Sequence, residues 1–382
     1  MELEHFFSPC PRGLEAVLAE ELRGLDAANV EAGAGGASFR GPFEMSYQIN
    51  LQSRIASRVL WRLCEGGYRT EDDIYRAARA LPWTEWFKVT HRIMVDMNAR
   101  NCPLKSLDFV TLRIKDAICD CFRDALGARP DVDRRSPDVR VYVYLTADRF
   151  TIYLDTSGEP LFKRGYRDAR IDAPLKENLA AGILRLTGWD IKEPLFDPMC
   201  GSGTFLAEAA MMALNIAPGL ARKFAFQKLL NFSERQWREQ LERAAAAQIS
   251  ASNARIFGAD KYGDVLKVAR TNLLKAGVLG AVQLKQMDLL EGPAPAPGGV
   301  AVMNPPYGVR LGEQEDLAAF YPKLGDVLKR QFAGWRIYIF SADPQLPKSI
   351  RLSASKRTPL FNGPLECRLF EYKIQVGSMR KG

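Results

Sequence analysis

The hydrophobic pattern changes character near residue 160. Beyond that point, short apolar runs alternate with stretches of helical spacing, as in parallel strands joined by crossover helices. The apolar runs are residues 194–199, 255–260, 282–288, 299–304 and 335–341. This pattern predicts an α/β domain with a doubly wound, mostly parallel sheet, and it places the domain boundary near residues 157–160.

The first part of the chain mixes the two periodicities in a different way. Helical spacing is found at residues 12–24, 50–63, 72–81 and 106–126. Strand-like spacing is found at residues 92–97, 139–145 and 150–154, and the last two predict a hairpin around residues 146–149. We therefore predict small α+β units in this part rather than a doubly wound sheet.

Composition narrows the class of protein. The 382 residues are 47% hydrophobic and 26% charged, which is ordinary for a soluble chain of one to three domains. The net charge of +8 (53 Lys and Arg, 45 Asp and Glu) is compatible with a polyanionic partner such as nucleic acid. Two histidines argue against a structural zinc site or a His-dependent triad, so we expect no metal.

The cysteines and the hydropathy of the chain indicate its cellular compartment. The seven cysteines are scattered, odd in number and without a CxxC pair, so we expect reduced thiols. No apolar stretch reaches 18 residues and the N-terminus is acidic, so we expect no membrane span and no signal peptide. The expected location is the cytoplasm.

A glycine loop opens the second domain. Residues 195–204 read as an apolar strand, a loop containing Gly201 and Gly203, and a helix that begins at Thr204. Glycines let a ligand approach the backbone closely, and a helix N-terminus favours anionic groups. The loop lacks the Gly-Lys-Ser/Thr ending of a P-loop and the complete GxGxxG of a dinucleotide site. A structural turn is the alternative interpretation.

Three acids end successive predicted strands: Asp197, Asp260 and Asp288. Asp260 is placed to accept the ribose hydroxyls of an adenosine ligand, and Asp288 to accept its adenine amine. The alternatives are a helix cap for Asp260 and a plain loop acid for Asp288. Asp260 lies about three times farther from the glycines than the usual ~20 residues. We attribute the excess to a helical insertion at residues 218–248.

The tetrapeptide Asn304-Pro305-Pro306-Tyr307 follows the apolar run 299–303. The Asn304 side-chain oxygen and the Pro305 carbonyl can accept hydrogen bonds from one exocyclic amine, and the Tyr307 ring can stack on the base that carries it. These groups suit methyl transfer to a planar nitrogen. Adenine, guanine and glutamine amines all remain possible acceptors, and a rigid turn is the non-functional alternative.

Together, the glycine loop and this tetrapeptide resemble the class I S-adenosylmethionine-dependent amino-methyltransferases of nucleic acids. The first glycine of the usual D-x-G-x-G-x-G is absent, and a Pro-x-Cys replaces it, as in the amino-methyltransferase subclass. The resemblance implies S-adenosylmethionine as cofactor, with catalytic roles for Asn304, Pro305 and Tyr307. The implied cofactor-binding residues are Asp197, Pro198, Cys200, Gly201, Ser202, Gly203, Thr204, Asp260, Asp288 and Asn178.

Residues 161–167, 173–180 and 363–369 resemble the THUMP-linked RNA guanine-N2 methyltransferases. This resemblance covers nearly the whole chain. It implies a ferredoxin-like unit at 1–42, a THUMP RNA-binding domain at 43–155 and the methyltransferase domain at 156–382.

The implied reaction is methylation of the guanine N2 amine in 23S ribosomal RNA of the large subunit. Transfer RNA is the alternative substrate, and a non-catalytic ribosome assembly factor is the alternative function. DNA or protein-amide methylation is disfavoured by the RNA-binding module. We expect a monomer or a weak dimer.

Two basic clusters are candidates for phosphate contact, with a solvated face as the alternative for each. The first comprises Lys163, Arg164, Arg167 and Arg170. The second comprises Lys348, Arg351, Lys356 and Arg357.

Overall fold

A computed structural model describes residues 3–167, 175–250, 253–305 and 313–375, with side chains from 319 onward in the last range. The chain forms two compact units, and each unit is built from three separate stretches of the sequence. The first unit comprises Met1–Cys10, Leu18–Leu161 and Ala221–Arg243. The second comprises Pro11–Val17, Phe162–Leu220 and Ala244–Gly382.

One seven-stranded sheet runs through the first unit. Its strands are β1 Glu4–Pro9, β2 Ala28–Gly33, β3 Gly36–Gly41, β4 Leu60–Gly67, β5 Ile93–Ala99, β6 Val139–Leu145 and β7 Arg149–Asp155. The spatial order is β2-β3-β1-β4-β7-β6-β5, and every pair is antiparallel except β5 with β6. The helices in this stretch of sequence are α1 Glu15–Gly24, α2 Met45–Gln52, α3 Glu71–Arg79, α4 Trp83–Trp86 and α5 Leu107–Leu126. The predicted helices 72–81 and 106–126 and the predicted hairpin are confirmed.

The predicted helix over residues 50–63 is wrong. Helix α2 ends at Gln52, and the chain reaches β4 through an extended segment. The Glu21 carboxylate accepts the Arg54 amide (3.0 Å) and the Ile55 amide (3.2 Å), which fixes a non-helical path. Ile55 and Val59 are fully buried along this path. Their spacing reflects burial of a coil, which periodicity alone does not distinguish from a helix.

The second unit contains the predicted doubly wound sheet. Its strands are β8 Leu195–Asp197, β9 Ile256–Asp260, β10 Val282–Gln286, β11 Gly299–Met303, β12 Trp335–Ser341, β13 Lys356–Asn362 and β14 Leu365–Lys373. The order is β10-β9-β8-β11-β12-β14-β13; the first five strands are parallel and β14 is antiparallel to both neighbours. The helices along this stretch of sequence are α6 Glu177–Leu186, α7 Thr204–Ala213, α8 Glu234–Ala246, α9 Gly263–Lys275, α10 Glu313–Gln331 and α11 Leu346–Ser349.

The core of the second unit lies against β11 and β12. The stretch Val300–Met303 is fully buried, as expected for a central parallel strand covered on both faces. The Phe196 ring is parallel to that of Phe332, with centroids 6.2 Å apart. The buried Trp335 donates its indole N–H to the Ala296 carbonyl at 3.1 Å. This packing holds β8 and the amino ends of β11 and β12 together.

The segment Ala221–Arg243 packs within the first unit, although it follows the cofactor-loop helix in sequence. It contains a short 3₁₀ helix, Ala225–Lys228, and most of α8. The Tyr47 ring stacks on Phe226 (centroids 4.4 Å apart), and Trp237 meets Phe226 edge-on at 5.2 Å. This aromatic cluster explains why the predicted insertion is rich in Phe and Trp.

Candidate active site

The glycine loop runs from the end of β8 into α7. The Cys200 amide donates to the Ala259 carbonyl of β9 (2.9 Å), and the Gly203 amide donates to the Cys200 carbonyl (2.8 Å). Gly201 and Gly203 have φ values of 53° and 81°, the left-handed region that favours glycine. Among the described residues, a Cβ at Gly201 would have no heavy atom within 4 Å, whereas one at Gly203 would lie 3.2 Å from Ala269 Cβ. The backbone at Gly201 is therefore open to a ligand.

Asp197 is almost fully buried at the start of this loop. Burial first, and then the nearby charge of Asp260, raise its pKa well above the ordinary value, and the Met199 amide opposes the shift. Burial and the same two acids also raise the pKa of the Cys200 thiol. This shift favours the neutral thiol, which is a poor nucleophile.

Asp260 ends β9 and supports the loop. One carboxylate oxygen accepts the Gly201 amide and the other accepts the Tyr262 amide, both at 3.0 Å. Each carboxylate oxygen has a second lone pair, so Asp260 can still accept hydroxyl donors. Its position beside Gly201 brings together two of the predicted cofactor-binding residues.

Asp288 follows β10, the next strand of the sheet. Burial opposes its ionisation, but the Leu290 amide (2.9 Å) and Lys261 (3.1 Å) together leave its pKa below the ordinary value. It is therefore a carboxylate at neutral pH. Leu289 beside it is buried.

Asn304 and Pro305 follow β11, which lies between β8 and β12. Asn304 is half-buried and Pro305 is buried. The carboxyl ends of parallel strands meet at one edge of a sheet, so Asn304 lies at the same edge as the glycine loop. Pro306 and Tyr307 are outside the described residues.

Sequence reasoning missed Asn272. It is buried on α9 and donates its side-chain amide to the Ser202 carbonyl at 2.9 Å. It therefore holds the middle of the glycine loop from behind. A single Asn on the buried face of a helix gives no distinctive signal in a single sequence.

Neither interpretation of the first basic cluster, phosphate contact or a solvated face, fits Arg164, which is buried, whereas Arg167 is partly buried. The Arg164 side chain is 1% exposed and donates to Glu208 at 3.4 Å; the Tyr166 hydroxyl donates to the same oxygen at 3.2 Å. Arg167 donates to Thr204 and pairs with Glu177 at 3.5 Å. The sequence signal for this burial was Glu208, an acid on the otherwise apolar helix α7. A buried acid requires a polar or charged partner.

The other predicted site residues and basic residues differ in how far they are buried. Asn178 is fully buried on α6, and Pro198 and Thr204 are buried beside the loop. Lys163 is exposed, and Arg170 is outside the described residues. The second basic cluster, Lys348, Arg351, Lys356 and Arg357, is exposed, and none of the four forms an ion pair with another described residue.

The described ranges contain neither a cluster of metal ligands nor a membrane-spanning helix. No group of three or more His, Cys, Asp and Glu side chains there could hold a metal ion. Within those ranges, no helix has both the length and the apolar composition needed to cross a bilayer.

The sheet order, the glycine loop and the strand-end acids define a class I methyltransferase, the class whose methyl donor is S-adenosylmethionine. Three family models match the chain: an RlmL ferredoxin-like domain at residues 5–60, a THUMP domain at 68–155 and an RMKL-like methyltransferase domain at 164–371. The chain belongs to the RMKL-like methyltransferase family, in the branch with these two N-terminal domains. The predicted THUMP-linked family and fold class are confirmed.

Individual relatives agree with this assignment. The ribosomal RNA large subunit methyltransferase K/L of Aeromonas hydrophila is 40% identical over 99% of this chain, which spans only 55% of that protein. A putative RNA methyltransferase of Synechocystis is 37% identical, with 97% of this chain and 96% of the relative aligned. The crystal structure of a putative methyltransferase complexed with SAH has a TM-score of 0.89 and 29% identity, covering 98% of this chain and 99% of the other. The chain thus spans about half the length of the K/L relatives.

Proposed function

We propose that this protein transfers a methyl group from S-adenosylmethionine to the exocyclic N2 amine of a guanine in 23S ribosomal RNA of the large subunit. The observation that carries the proposal is the position of Asn304 and Pro305 at the end of β11, next to the glycine loop on β8. The names of the K/L relatives support large-subunit ribosomal RNA as the substrate. The THUMP domain supports RNA over DNA or protein.

The residues around the glycine loop fit the methyl donor. The open backbone at Gly201 admits a ligand, and Asp260 beside it presents lone pairs for ribose hydroxyls. Asp288, one strand farther, is an ionised acceptor for the adenine amine, with buried Leu289 next to it. Asn178, Pro198, Cys200, Ser202 and Thr204 would complete the wall of this pocket. When bound, the donor sulfonium supplies an electrophilic methyl group, so the protein needs no nucleophile of its own.

The acceptor is the chemically difficult partner, because the lone pair of a guanine amine is delocalised into the ring. The Asn304 side-chain oxygen and the Pro305 carbonyl would each accept one N–H of this amine and hold it facing the methyl group. The same bonds would stabilise the positive charge that develops on nitrogen. The base must leave its helix to reach the pocket, and stacking on Tyr307 would contribute about 1–3 kcal/mol.

The test is methyl transfer to defined RNA followed by nucleoside mapping. Purified protein is incubated with labelled S-adenosylmethionine and either 23S ribosomal RNA or transfer RNA from cells that lack the gene. We expect label in 23S ribosomal RNA, recovered by mass spectrometry as N2-methylguanosine at one position. Label in transfer RNA alone, or in an adenine, would overturn the proposed substrate. No transfer by wild-type protein that binds the donor would favour a non-catalytic role.

A further inference from the structure

Asp343 lies at the same sheet edge as Asn304, on the side away from the cofactor residues. Strands β11 and β12 are parallel neighbours, with Met303 opposite Ile339. Asn304 is therefore level with Phe340, and Asp343 follows three residues later, so both residues come after adjacent parallel strands at the same edge of the sheet. The cofactor acids follow β8, β9 and β10, on the other side of β11. A carboxylate in the turn after β12 is thus on the acceptor side of Asn304 rather than the donor side.

The local contacts of Asp343 leave one of its oxygens available. Its amide donates to the Ser341 hydroxyl at 3.1 Å, and its Oδ1 accepts the Gln345 amide at 2.8 Å. Among the described residues, Oδ2 accepts no hydrogen bond and no Lys or Arg pairs with the carboxylate. The side chain is half-buried. These bonds hold the carboxylate in a fixed orientation through one oxygen only.

The Tyr321 hydroxyl, whose pKa the Asp343 charge affects, is held in its neutral form. Tyr321 on α10 is 4% exposed, and burial, followed by the Asp343 charge, raises its pKa to about 12. Tyr321 therefore does not become a competing anion at physiological pH. A half-buried carboxylate with one oxygen not used within the described residues can accept a hydrogen bond from a donor group on a bound base.

We propose that Asp343 selects guanine by accepting its N1–H, while Asn304 and Pro305 accept the adjacent N2 amine. Guanine presents these donors side by side on one edge. Adenine presents an N1 acceptor beside its N6 amine, and cytosine presents an N3 acceptor beside its N4 amine, so Asp343 would repel both. The Asn-Pro-Pro-Tyr tetrapeptide accepts any conjugated amine, and Asp343 supplies the discrimination it lacks. This inference rests on the proposed function and adds the residue that determines its base specificity.

The test compares guanine with 2-aminopurine at the mapped position of a ligated 23S ribosomal RNA fragment. 2-Aminopurine has the same exocyclic 2-amine, but its N1 is an acceptor. The kcat/KM of the wild-type protein should be about 10- to 100-fold higher for guanine than for 2-aminopurine, which is the usual discrimination from one good hydrogen-bonded contact to a base edge. The Asp343→Asn variant keeps the Oδ1 bond to Gln345 and can donate to N1. It should lose about 10- to 100-fold on guanine and reduce the preference for guanine at least tenfold.

Controls separate specificity from folding and from the proposed reaction. The matched variant Asp326→Asn changes an exposed acid on α10 and should behave as wild type. Donor affinity by calorimetry should be unchanged in Asp343→Asn. An unchanged base preference in that variant, or equal kcat/KM of wild-type protein for the two RNAs, would overturn the role of Asp343. Absence of N2-methylguanosine with the guanine RNA would instead refute the proposed function.

Discussion

At the residue scale, the proposed reaction uses hydrogen-bond acceptors rather than a reactive nucleophile. Asp260 and Asp288 are carboxylates at strand ends, and Asn304 presents a neutral amide oxygen. The Cys200 thiol is neutral and buried. Catalysis by this arrangement would come from positioning and from stabilising charge on the acceptor nitrogen.

Asn304→Ala should lower kcat by about 10²–10³-fold, by analogy with the loss of one hydrogen bond that stabilises transition-state charge. Donor affinity should stay within about twofold, because the cofactor residues lie on β8, β9 and β10. The measurement is single-turnover methyl transfer, with donor binding by calorimetry. Asp260→Ala is the contrasting variant, since it should weaken donor binding. An unchanged kcat for Asn304→Ala would refute its catalytic role.

Because of Asp197, the free energy of unfolding of the donor-free protein should fall as pH rises. Its folded pKa is raised by burial, so the native state holds a proton that the unfolded chain releases near pH 4. The stabilising effect is complete below the unfolded pKa and is lost as pH rises through the folded pKa.

Asp197→Asn removes this titration, so its free energy of unfolding should increase relative to wild type between pH 5 and pH 8. Urea denaturation at both pH values tests this, with the exposed Asp264→Asn as control. Parallel pH dependence in Asp197→Asn and wild type would contradict the assignment.

At the scale of elements, helix α7 connects the cofactor loop to a buried ionic network. Thr204 at its N-terminus accepts from Arg167, and Glu208 one turn later accepts from Arg164 and Tyr166. These contacts tie the segment before α6 to the helix that carries the glycine loop. The network therefore holds the helix that follows the glycine loop.

Arg164→Met should destabilise the protein by about 3–5 kcal/mol, because it leaves Glu208 charged and buried without its cation. The paired variant Arg164→Met with Glu208→Leu should recover most of this loss. The control is Arg238→Met, whose partner Glu234 is 2.9 Å away but highly exposed, and which should cost less than about 1 kcal/mol. The free energy of unfolding from urea titration gives all three values. Equal losses for Arg164→Met and Arg238→Met would contradict a buried network.

At the scale of the whole molecule, the two compact units do not follow the sequence boundary near residue 160. The segment Ala221–Arg243 belongs to the first unit, where Phe226 is fully buried against Tyr47 and Trp237. The Phe226 amide also donates to the Thr156 carbonyl at 2.9 Å. The folding of the first unit therefore depends on a segment that is translated after the glycine loop.

Phe226→Ala should destabilise the first unit by about 3–5 kcal/mol, the usual effect of removing a large buried aromatic side chain. Leu230→Ala, at an exposed position of the same segment, should change stability by less than about 0.5 kcal/mol. Hydrogen exchange of β4 and β7 amides reports on the first unit alone. Unaltered protection in Phe226→Ala would show that the segment does not contribute to that unit.

The sequence by itself determined the sheet of the second unit, its strand-end acids and the residue types of the site. Each signal is local: an apolar run, a glycine loop, or Asn304 directly after a strand. The resemblance to known methyltransferases then predicted the methyl donor and the RNA-binding domains. The base specificity stayed open, because the Asn-Pro-Pro-Tyr tetrapeptide accepts any conjugated amine.

Only the tertiary structure decided three other features. It replaced the predicted helix at 50–63 by a buried coil, because Glu21 accepts the backbone amides of Arg54 and Ile55. It moved Arg164 from a predicted phosphate contact into an ion pair with Glu208. It also placed Asp343 just after β12, the strand beside the one that Asn304 follows. In each case the deciding partner is distant in sequence, and periodicity carries no information about contacts between distant residues.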